Sequence, residues 1–249
     1  MNILLVNDDG IQARGIRELA EELSSAGDIY ICAPDRQRSG KSHSITIGEH
    51  IYVQDVSFPG AREALQTTGT PADCTKIGLQ FFKDQGVNMD IVYSGINLGS
   101  NLGVDTLYSG TVGSAMEAAV SGYPAAAVSV GGHTPEHFEA ARALARCVLS
   151  MKDEIPADSL ININVPDLPK EELKGVLITR LGHRNFKDGF RLQEDGGYRL
   201  MGNPQDFSQA DTAYDLAAFA QGYASVTPVS FDRTNMKWLA SLHADRFQY

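Results

Sequence analysis

The chain opens with Ile3-Leu4-Leu5-Val6-Asn7-Asp8-Asp9-Gly10, an apolar run that ends in two adjacent carboxylates and a glycine. An uninterrupted apolar run of this length is typical of a strand buried on both faces of a parallel sheet. Open α/β sheets bind ligands in the crevice beyond the carboxyl ends of their strands. This stretch therefore predicts an α/β fold with Asp8 and Asp9 at the mouth of such a crevice.

Two interpretations of the acidic pair are open from this stretch alone. Adjacent carboxylates repel each other, and a divalent metal ion with oxygen ligands is the simplest group that neutralises them. Asp is also a good helix cap and suits the positive end of the helix dipole. Neighbouring side chains of an extended backbone point to opposite faces, so a shared ion requires a turn, which Gly10 permits.

Predicted strands and helices alternate as far as about residue 165, which indicates a Rossmann-like, doubly wound, mostly parallel sheet. Thr70-Pro71-Ala72-Asp73 predicts a helix start, since it combines a cap, a proline at the first helical position and a carboxylate three residues after the cap. We expect further strands at residues 29–33, 91–93, 125–130 and 160–165. The whole chain, residues 1–249, is expected to form one domain whose core is residues 1–165.

The pattern loosens in residues 166–249. Residues 187–209 are rich in Gly, Asp, Asn and Gln and predict a loop or an exposed hairpin. A strand is expected at residues 223–229. Trp238, Leu239 and Leu242 predict a short terminal helix whose apolar side needs a partner.

Composition restricts the function. With 43% apolar and 21% charged residues, the chain is typical of an ordinary globular protein. A net charge of -10, from 21 basic and 31 acidic residues, opposes broad binding to polymeric nucleic acid. A small phosphorylated substrate stays compatible, because a metal ion and a few arginines can reverse the potential within one cleft. The first residues match no signal peptide and no run is long enough to span a bilayer, so we expect a cytoplasmic protein without membrane contacts.

Three polar segments follow predicted strands: Asp8 and Asp9, residues 36–44, and residues 97–101. The carboxyl ends of parallel strands lie along one edge of the sheet, so these segments converge. Their carboxylate, hydroxyl and amide oxygens suit Mg²⁺, Mn²⁺ or Ca²⁺. The pattern does not choose among the serines at 39, 42 and 44. No G-x-G-x-x-G motif follows the first strand, which disfavours a nicotinamide enzyme.

Tyr108-Ser109-Gly110-Thr111 lies just before a predicted helix. Free backbone amides and the helix dipole attract an anion at such a position, and a phosphate would fit there. The alternative is that Thr111 only caps the helix.

Seven motifs occur in a fixed order along the chain. They are NDDG at 7–10, APDRQRSGKSHSIT at 33–46, GTPADC at 69–74, SGINLGSNLG at 94–103, YSGTVGSAMEA at 108–118, NINVPDLP at 162–169 and GYASVTPV at 222–229. On these motifs the chain resembles the SurE (survival protein E) family of bacterial metal-dependent nucleotidases. The resemblance spans nearly the whole chain.

The resemblance implies hydrolysis of nucleoside 5′- or 3′-monophosphates with one divalent cation per subunit, Mg²⁺ or Mn²⁺, with Ca²⁺ as a further candidate. By position, the family's metal ligands fall on Asp8, Asp9, Ser39 and Asn97. Asp8 and Asp9 are also the expected catalytic residues, and either can orient the attacking water. The expected phosphate-binding residues are Gly40, Asn101, Ser109, Gly110 and Thr111.

The resemblance also implies a dimer or tetramer in which C-terminal segments are exchanged. We therefore expect residues 166–249 to contribute a β-hairpin and helix extension that is used in oligomerisation. The chain departs from the family at Tyr214-Asp215, where Thr-Asp is frequent, and residues 183–211 lack a clear match. The alternative function is a nucleotide-sensing or nucleotide-binding protein that uses the same cleft without turnover.

Overall fold

A computed structural model describes residues 1–183, 187–203 and 206–243, with the backbone alone described at 187, 188 and 203. The strands are β1 (Asn2–Val6), β2 (Asp28–Pro34), β3 (Val53–Asp55), β4 (Glu63–Thr67), β5 (Ile91–Leu98), β6 (Ala125–Val130), β7 (Ser159–Val165), β8 (Val176–Ile178), β9 (Lys187–Leu192), β10 (Tyr198–Asn203) and β11 (Ala224–Ser230). The α-helices are α1 (Arg14–Leu23), α2 (Pro71–Asp84), α3 (Gly110–Val120), α4 (Glu139–Ser150), α5 (Asp215–Ala220) and α6 (Met236–Leu239). Short 3₁₀ helices lie at Gly103–Leu107 and Lys152–Glu154.

The main sheet has the strand order β3-β4-β2-β1-β5-β6-β7-β11-β8. β1 pairs in parallel with β2 on one side and with β5 on the other, so the direction of winding reverses at β1. Ile3 and Leu5 pack into the apolar layer that also contains α1 and α4, whereas Leu4 and Val6 pack into the layer of α2 and α3. The predicted doubly wound, mostly parallel sheet is confirmed, and β1 is buried on both faces.

The start of α2 follows the predicted pattern. The Thr70 hydroxyl accepts a hydrogen bond from the Asp73 N–H at 3.1 Å, and the Asp73 carboxylate accepts one from the Thr70 N–H at 2.9 Å. This reciprocal pair satisfies two of the amides that a helix start leaves free. It fixes where α2 begins, beside the crevice.

The prediction for β5 was too short, because the strand continues past Tyr93 to Leu98. Its pairing with β6 is irregular between Ser94 and Asn97, where Gly95 has φ +133°. A Cβ on Gly95 would lie 2.2 Å from the Val128 carbonyl oxygen, so only glycine fits this approach. Gly95 thus lets an irregular strand continue to the edge of the sheet.

Four strands and helices had no prediction: β3, β4, β8 and α5. All three residues of β3 are exposed, and β4 includes the polar residues Glu63 and Gln66. An apolar pattern therefore gives little signal for these strands. They take their place from pairing with β2 and with each other.

The C-terminal part extends the main sheet and adds a hairpin. β11 runs antiparallel to β7 and parallel to β8, while β9 and β10 form a separate antiparallel pair. The hairpin prediction is thus confirmed within the described residues. The terminal helix is a single turn that ends at Leu239, short of Leu242. Across the described ranges, no helix is long and apolar enough to cross a membrane.

Candidate metal and phosphate site

The turn after β1 is held by the side chain of Asn7. Its Nδ2 donates to the Gly10 carbonyl at 2.8 Å, and its Oδ1 accepts from the Gly10 N–H at 3.2 Å. Gly10 has φ +98°, which an L side chain rarely adopts. The turn expected at Gly10 is present, and the asparagine that holds it was not anticipated, although Asn is a frequent turn-forming residue.

Asp8 lies directly against the start of α3. Only 4% of the residue is exposed, and its Oδ1 accepts a hydrogen bond from the Thr111 hydroxyl at 2.6 Å. A Cβ on Gly110 would lie 2.9 Å from both Cβ and Oδ2 of Asp8, so glycine is required for this approach. The structure therefore brings together three predicted site residues from two separate motifs.

Asp9 is half-buried and binds two neighbouring segments. Its Oδ2 accepts from the Leu98 N–H, and its Oδ1 accepts from Nε2 of Gln37, both at 3.2 Å. α1 begins at Arg14, with Ala13 at its cap position. The alternative in which the acidic pair caps a helix is therefore wrong.

Burial governs the charge state of both carboxyl groups. It raises the pKa of Asp8 to about 6; the Thr111 hydrogen bond opposes this effect and the charge of Asp9 adds to it. Burial also raises the pKa of Asp9, against the hydrogen bonds from Leu98 and Gln37. Among the residues that the structure describes, neither carboxylate has a cationic side chain as an ion-pair partner. A cation bound between the two carboxylates would offset both the cost of burying their charges and their mutual repulsion.

The segment after β2 lies over this acidic pair. The Arg38 N–H donates to the Asp8 carbonyl at 2.7 Å, and the Ser42 N–H donates to the Tyr108 carbonyl at 3.0 Å. Ser39 and Gly40 lie between these two anchors and are exposed. Ser39 directly follows Arg38, whose N–H binds the Asp8 carbonyl. Ser42 and Ser44 lie further along the segment, and this distinguishes Ser39 from them.

Asn97 lies near the end of β5, level with the acidic pair. Its Nδ2 donates to the Gly99 carbonyl at 2.6 Å, which fixes the amide and leaves Oδ1 available as a ligand oxygen. Asn97 lies in β5, Asp8 and Asp9 follow the adjacent strand β1, and the Asp9–Leu98 hydrogen bond joins the two segments. The predicted convergence of β1, β2 and β5 at one edge is confirmed.

Asn101 is buried in a polar network that was not anticipated. Its Nδ2 donates to Ser129 Oγ at 2.9 Å, and its N–H donates to Asn164 Oδ1 at 2.7 Å. The side chains of Asn162 and Asn164 both donate to the Asn101 carbonyl. The signal in the sequence was the pair of asparagines in the apolar strand β7, which places polar side chains on one face. The network fixes the backbone of Asn101 and one of its two amide N–H groups.

The first turn of α3 is the candidate anion site. Ser109 caps the helix, because its hydroxyl accepts from the Val112 N–H at 3.0 Å. The alternative in which Thr111 is the cap is therefore wrong, and the Thr111 hydroxyl is directed to Asp8 instead. In the described chain, the Thr111 N–H interacts with the Asp8 carboxylate and helps to lower its pKa, whereas the Gly110 N–H has no hydrogen-bond acceptor and is free. Such groups at a helix start attract phosphate oxygens.

The donor set fits a hard divalent cation. It combines two carboxylates with an amide oxygen and a hydroxyl, all oxygen ligands of the kind that Mg²⁺, Mn²⁺ and Ca²⁺ prefer. The described ranges contain no group of three or more His, Cys, Asp or Glu side chains that could hold a metal ion. Ser39 and Asn97 are therefore the residues that could supply further ligand oxygens beside Asp8 and Asp9.

The fold and this crevice define a doubly wound α/β protein with an acidic, oxygen-lined ligand site at the point where the sheet reverses its winding. A family model described as "Survival protein SurE" matches residues 3–188, and the chain belongs to this family. The resemblance found in the motifs is confirmed.

Relatives match over nearly their full length. The chain is 40% identical over 252 residues to the "5'-nucleotidase SurE" of Aeromonas hydrophila subsp. hydrophila, with 98% of each chain covered. It is 39% identical over 253 residues to the protein of the same name from Carboxydothermus hydrogenoformans, with 97% of this chain and 95% of the relative covered. The crystal structure of the SurE protein from Aquifex aeolicus superposes with a TM-score of 0.85 at 36% identity, covering 99% of this chain and 100% of that one.

Proposed function

We propose that this protein is a divalent-metal-dependent phosphomonoesterase that hydrolyses nucleoside 5′- and 3′-monophosphates to nucleoside and phosphate. The observation that carries the proposal is the adjacent pair of the buried Asp8 and the half-buried Asp9, which lies against the start of α3 and its free Gly110 N–H. One element suits a cation and the other suits a phosphate oxygen, so a phosphate monoester can bind across both. The name 5'-nucleotidase of the relatives supports the same activity.

One divalent ion per subunit, Mg²⁺ or Mn²⁺ with Ca²⁺ as a further candidate, would be held by Asp8, Asp9, Ser39 and Asn97. When bound, it supplies positive charge that offsets the charge developing on the phosphate oxygens. Asp8 is held in place by the Thr111 hydroxyl, and Asp9 by the Leu98 N–H and Gln37. These hydrogen bonds orient both carboxylates before a ligand arrives, which favours binding.

The chain's own donors would position the other phosphate oxygens. The Gly110 N–H in the first turn of α3 has no acceptor in the described chain, and the Ser109 hydroxyl keeps its own proton to donate. Asn101 retains a second amide N–H beside the one bound to Ser129. Together with Gly40 in the exposed segment after β2, these groups would bind phosphate oxygens beside the carboxylates.

We assign the water-orienting role to Asp9. Asp8 is almost fully buried, whereas Asp9 is half-buried, and each of its oxygens keeps a lone pair beside the hydrogen bond that it accepts. Water held by Asp9 attacks phosphorus as the bond to the nucleoside oxygen breaks, and that oxygen takes up a proton. Attack by Asp8 itself, through an aspartyl-phosphate, is the second route.

The test is phosphate release from 5′-AMP, 3′-AMP and p-nitrophenyl phosphate by purified protein, with Mn²⁺ or Mg²⁺ and again with EDTA. We expect release that EDTA abolishes, and Asp9→Asn should lower turnover at least ~100-fold, because several kcal/mol of charge stabilisation are lost. Asp153→Asn is the matched control, since the Asp153 side chain is 85% exposed. Binding of AMP without release would instead support the nucleotide-sensing alternative.

We also propose that the protein self-associates to a dimer or tetramer through its C-terminal part. Phe190, Leu192, Tyr198 and Leu200 lie on one face of the β9–β10 hairpin, and each is more than half exposed. Trp238 and Leu239 of α6 are exposed as well. An exposed apolar face of this kind is typical of a protein–protein contact, and a second copy of the chain would cover it.

A further inference from the structure

Residues 35–46, here called the site loop, run from the end of β2 across the crevice and carry Ser39. Two anchors described above hold the loop at Arg38 and Ser42, through the carbonyls of Asp8 and Tyr108. A third anchor lies at its far end, where the Thr46 N–H and hydroxyl donate to the Asp73 carboxylate at 3.0 and 2.6 Å. The loop is thus attached to the helix starts of α2 and α3 rather than free in solvent.

A fourth anchor is made by side chains alone. Nε2 of His43 lies 2.7 Å from one carboxylate oxygen of Glu117, and the Lys76 ammonium donates to the other at 2.8 Å. The Glu117 side chain is only 6% exposed, on the face of α3 that the loop covers. Burial opposes ionisation of Glu117, but the hydrogen bonds from His43 and Lys76 outweigh it and lower its pKa. A buried carboxylate therefore holds the loop through His43.

The backbone beside His43 needs such a hold. Ser42 has φ +56°, a left-handed conformation that is strained for a residue with a side chain. A Cβ on Gly113 would lie only 2.5 Å from the Ser42 carbonyl oxygen, so the loop packs directly against the α3 backbone. A strained conformation persists only where its surroundings fix it, and His43 is the next residue in the chain.

We propose that His43, held by Glu117, is a positioning residue that keeps the site loop down on α3 so that Ser39 stays within reach of the ion between Asp8 and Asp9. This inference rests on the proposed function, because it assigns Ser39 to the ion. The proposal gives neither His43 nor Glu117 a contact with the substrate. Removal of the anchor should therefore weaken metal binding and raise the metal concentration needed for activity, while turnover at saturating metal is largely kept.

The experiment measures Mn²⁺ binding by calorimetry in the absence of substrate, together with the Mn²⁺ activation constant and kcat. We expect His43→Ala to weaken Mn²⁺ binding about tenfold, the range seen when a group behind a metal ligand is removed. His43→Gln should restore most of the affinity, because its side-chain amide can donate to Glu117 from a similar position. Ser39→Ala should weaken binding by at least as much as His43→Ala.

Two variants serve as controls. Lys76→Met removes the other partner of Glu117 without breaking the loop contact, and is expected to leave Mn²⁺ affinity within about twofold of wild type, since the Lys76 side chain is 51% exposed. His50→Ala removes an exposed histidine outside the site loop and should change nothing. Circular dichroism and thermal unfolding identify any variant that fails to fold. If His43→Ala fails to fold, the Mn²⁺ affinities of His43→Gln and Lys76→Met are compared instead.

Equal Mn²⁺ affinity in His43→Ala and wild type would overturn the positioning role. Normal affinity in Ser39→Ala would overturn the ligand assignment on which it rests. Mn²⁺ binding by wild type without phosphate release would overturn the nucleotidase proposal but not the positioning role, because calorimetry does not depend on turnover. A fall in kcat with unchanged metal affinity in His43→Ala would also contradict the inference, since it would indicate a direct part in the reaction.

Discussion

The Thr111 hydroxyl donates a hydrogen bond to Oδ1 of Asp8 at 2.6 Å, linking the first turn of α3 to the acidic pair. Burial raises the pKa of Asp8, and this hydrogen bond is the largest effect that opposes the rise. Thr111 therefore helps Asp8 to be ionised near neutral pH. One residue at a helix start thus serves both the cation side and the phosphate side of the proposed site.

Thr111→Val removes that donor at nearly constant volume. The pKa of Asp8 should then rise above about 6, so that protons compete with the metal ion at higher pH. We expect Mn²⁺ affinity to fall more at pH 6 than at pH 8, measured by calorimetry at both values. Thr75→Val is the control, because the buried Thr75 hydroxyl donates to the Ser114 carbonyl, away from Asp8. An equal loss of affinity at both pH values would contradict the explanation.

Asp8→Asn should stabilise the metal-free protein above pH 6. The pKa of Asp8 is about 6 in the folded chain against about 3.9 in an unfolded one, so the folded state binds more protons between these values. The free energy of unfolding of wild type therefore falls as pH rises from about 4 to about 6, and Asn at position 8 avoids that loss. The expected gain at pH 8 is about 1–3 kcal/mol.

Urea unfolding of both proteins in EDTA, from pH 4 to pH 8, measures this difference. For Asp73→Asn we expect a change in the free energy of unfolding of the opposite sign. Burial opposes ionisation of Asp73, but hydrogen bonds from Thr46 and Thr70 lower its pKa overall, so its charge contributes to stability above about pH 4. Asp73→Asn should therefore lower stability at pH 8. A loss of stability in both variants would show that burial of the Asp8 charge is not the controlling effect.

The parts of the fold that follow from apolar pattern and capping chemistry could be predicted from the sequence. β1, α2 and β6 lie where the pattern placed them, because their signals are local. β3 and β4 could not be predicted, since their polar residues form strands only through pairing with the edge of the sheet at β2. Strand formation of that kind depends on distant residues, which a local pattern does not contain.

The candidate site shows the same limit. Spacing and strand order were enough to bring Asp8, Asp9 and Asn97 to one edge. The choice of Ser39 came from the family resemblance and not from the pattern. The buried partners Asn164 and Glu117 were missed, because each contacts the site region across more than 60 residues of chain. Contacts of this length depend on packing, and the sequence gives only the residue types.

Gly113→Ala tests the close approach of the site loop to α3. Alanine normally stabilises a helix interior relative to glycine by about 0.5–1 kcal/mol. Here the added Cβ would lie 2.5 Å from the Ser42 carbonyl oxygen, so the loop has to lift. We expect weaker Mn²⁺ binding and a raised KM for AMP, measured by calorimetry and steady-state kinetics.

Gly78→Ala is the matched comparison, since its Cβ would meet Cys32 and Leu4 in the core instead of the site loop. That variant should lose stability in urea unfolding and keep its Mn²⁺ affinity. If Gly113→Ala is stabilised as an ordinary helix variant and binds Mn²⁺ normally, the loop does not need the contact.

The apolar face of the β9–β10 hairpin predicts the oligomeric state of variants. Leu192→Lys combined with Leu200→Lys places two charges on the face that we propose a second copy covers. Light scattering after size exclusion should show a smaller species than wild type. Met201→Lys is the control, because it replaces an exposed apolar residue of similar size with a charge on the opposite face of the hairpin. An unchanged mass in the double variant would exclude this face from the contact.

Asp215 should contribute strongly to stability, since its fully buried carboxylate joins two segments beside the crevice. Oδ2 accepts from the Gly103 N–H and Oδ1 from the Gly182 N–H, both at 2.8 Å. Burial raises the pKa of Asp215 as it does that of Asp8, but Asp215 accepts backbone N–H groups that Asn cannot all satisfy. Asp215→Asn places an amide N–H₂ against one of these donors, so a buried N–H loses its acceptor, and we expect this loss to exceed the gain from removing the buried charge. We expect unfolding in urea to require about 1–3 kcal/mol less than in wild type.

Asp215→Asn should also change substrate binding. Gly103 lies two residues after Asn101, and its hydrogen bond to Asp215 fixes the segment that follows β5. We expect KM for AMP to rise while Mn²⁺ affinity stays near that of wild type, since the proposed ligands lie before Gly99. Asp211→Asn is the matched control: its exposed carboxylate accepts a single backbone N–H, from Ala213 at 2.9 Å. A stability loss of equal size in both variants would show that burial of Asp215 adds nothing to its hydrogen bonds.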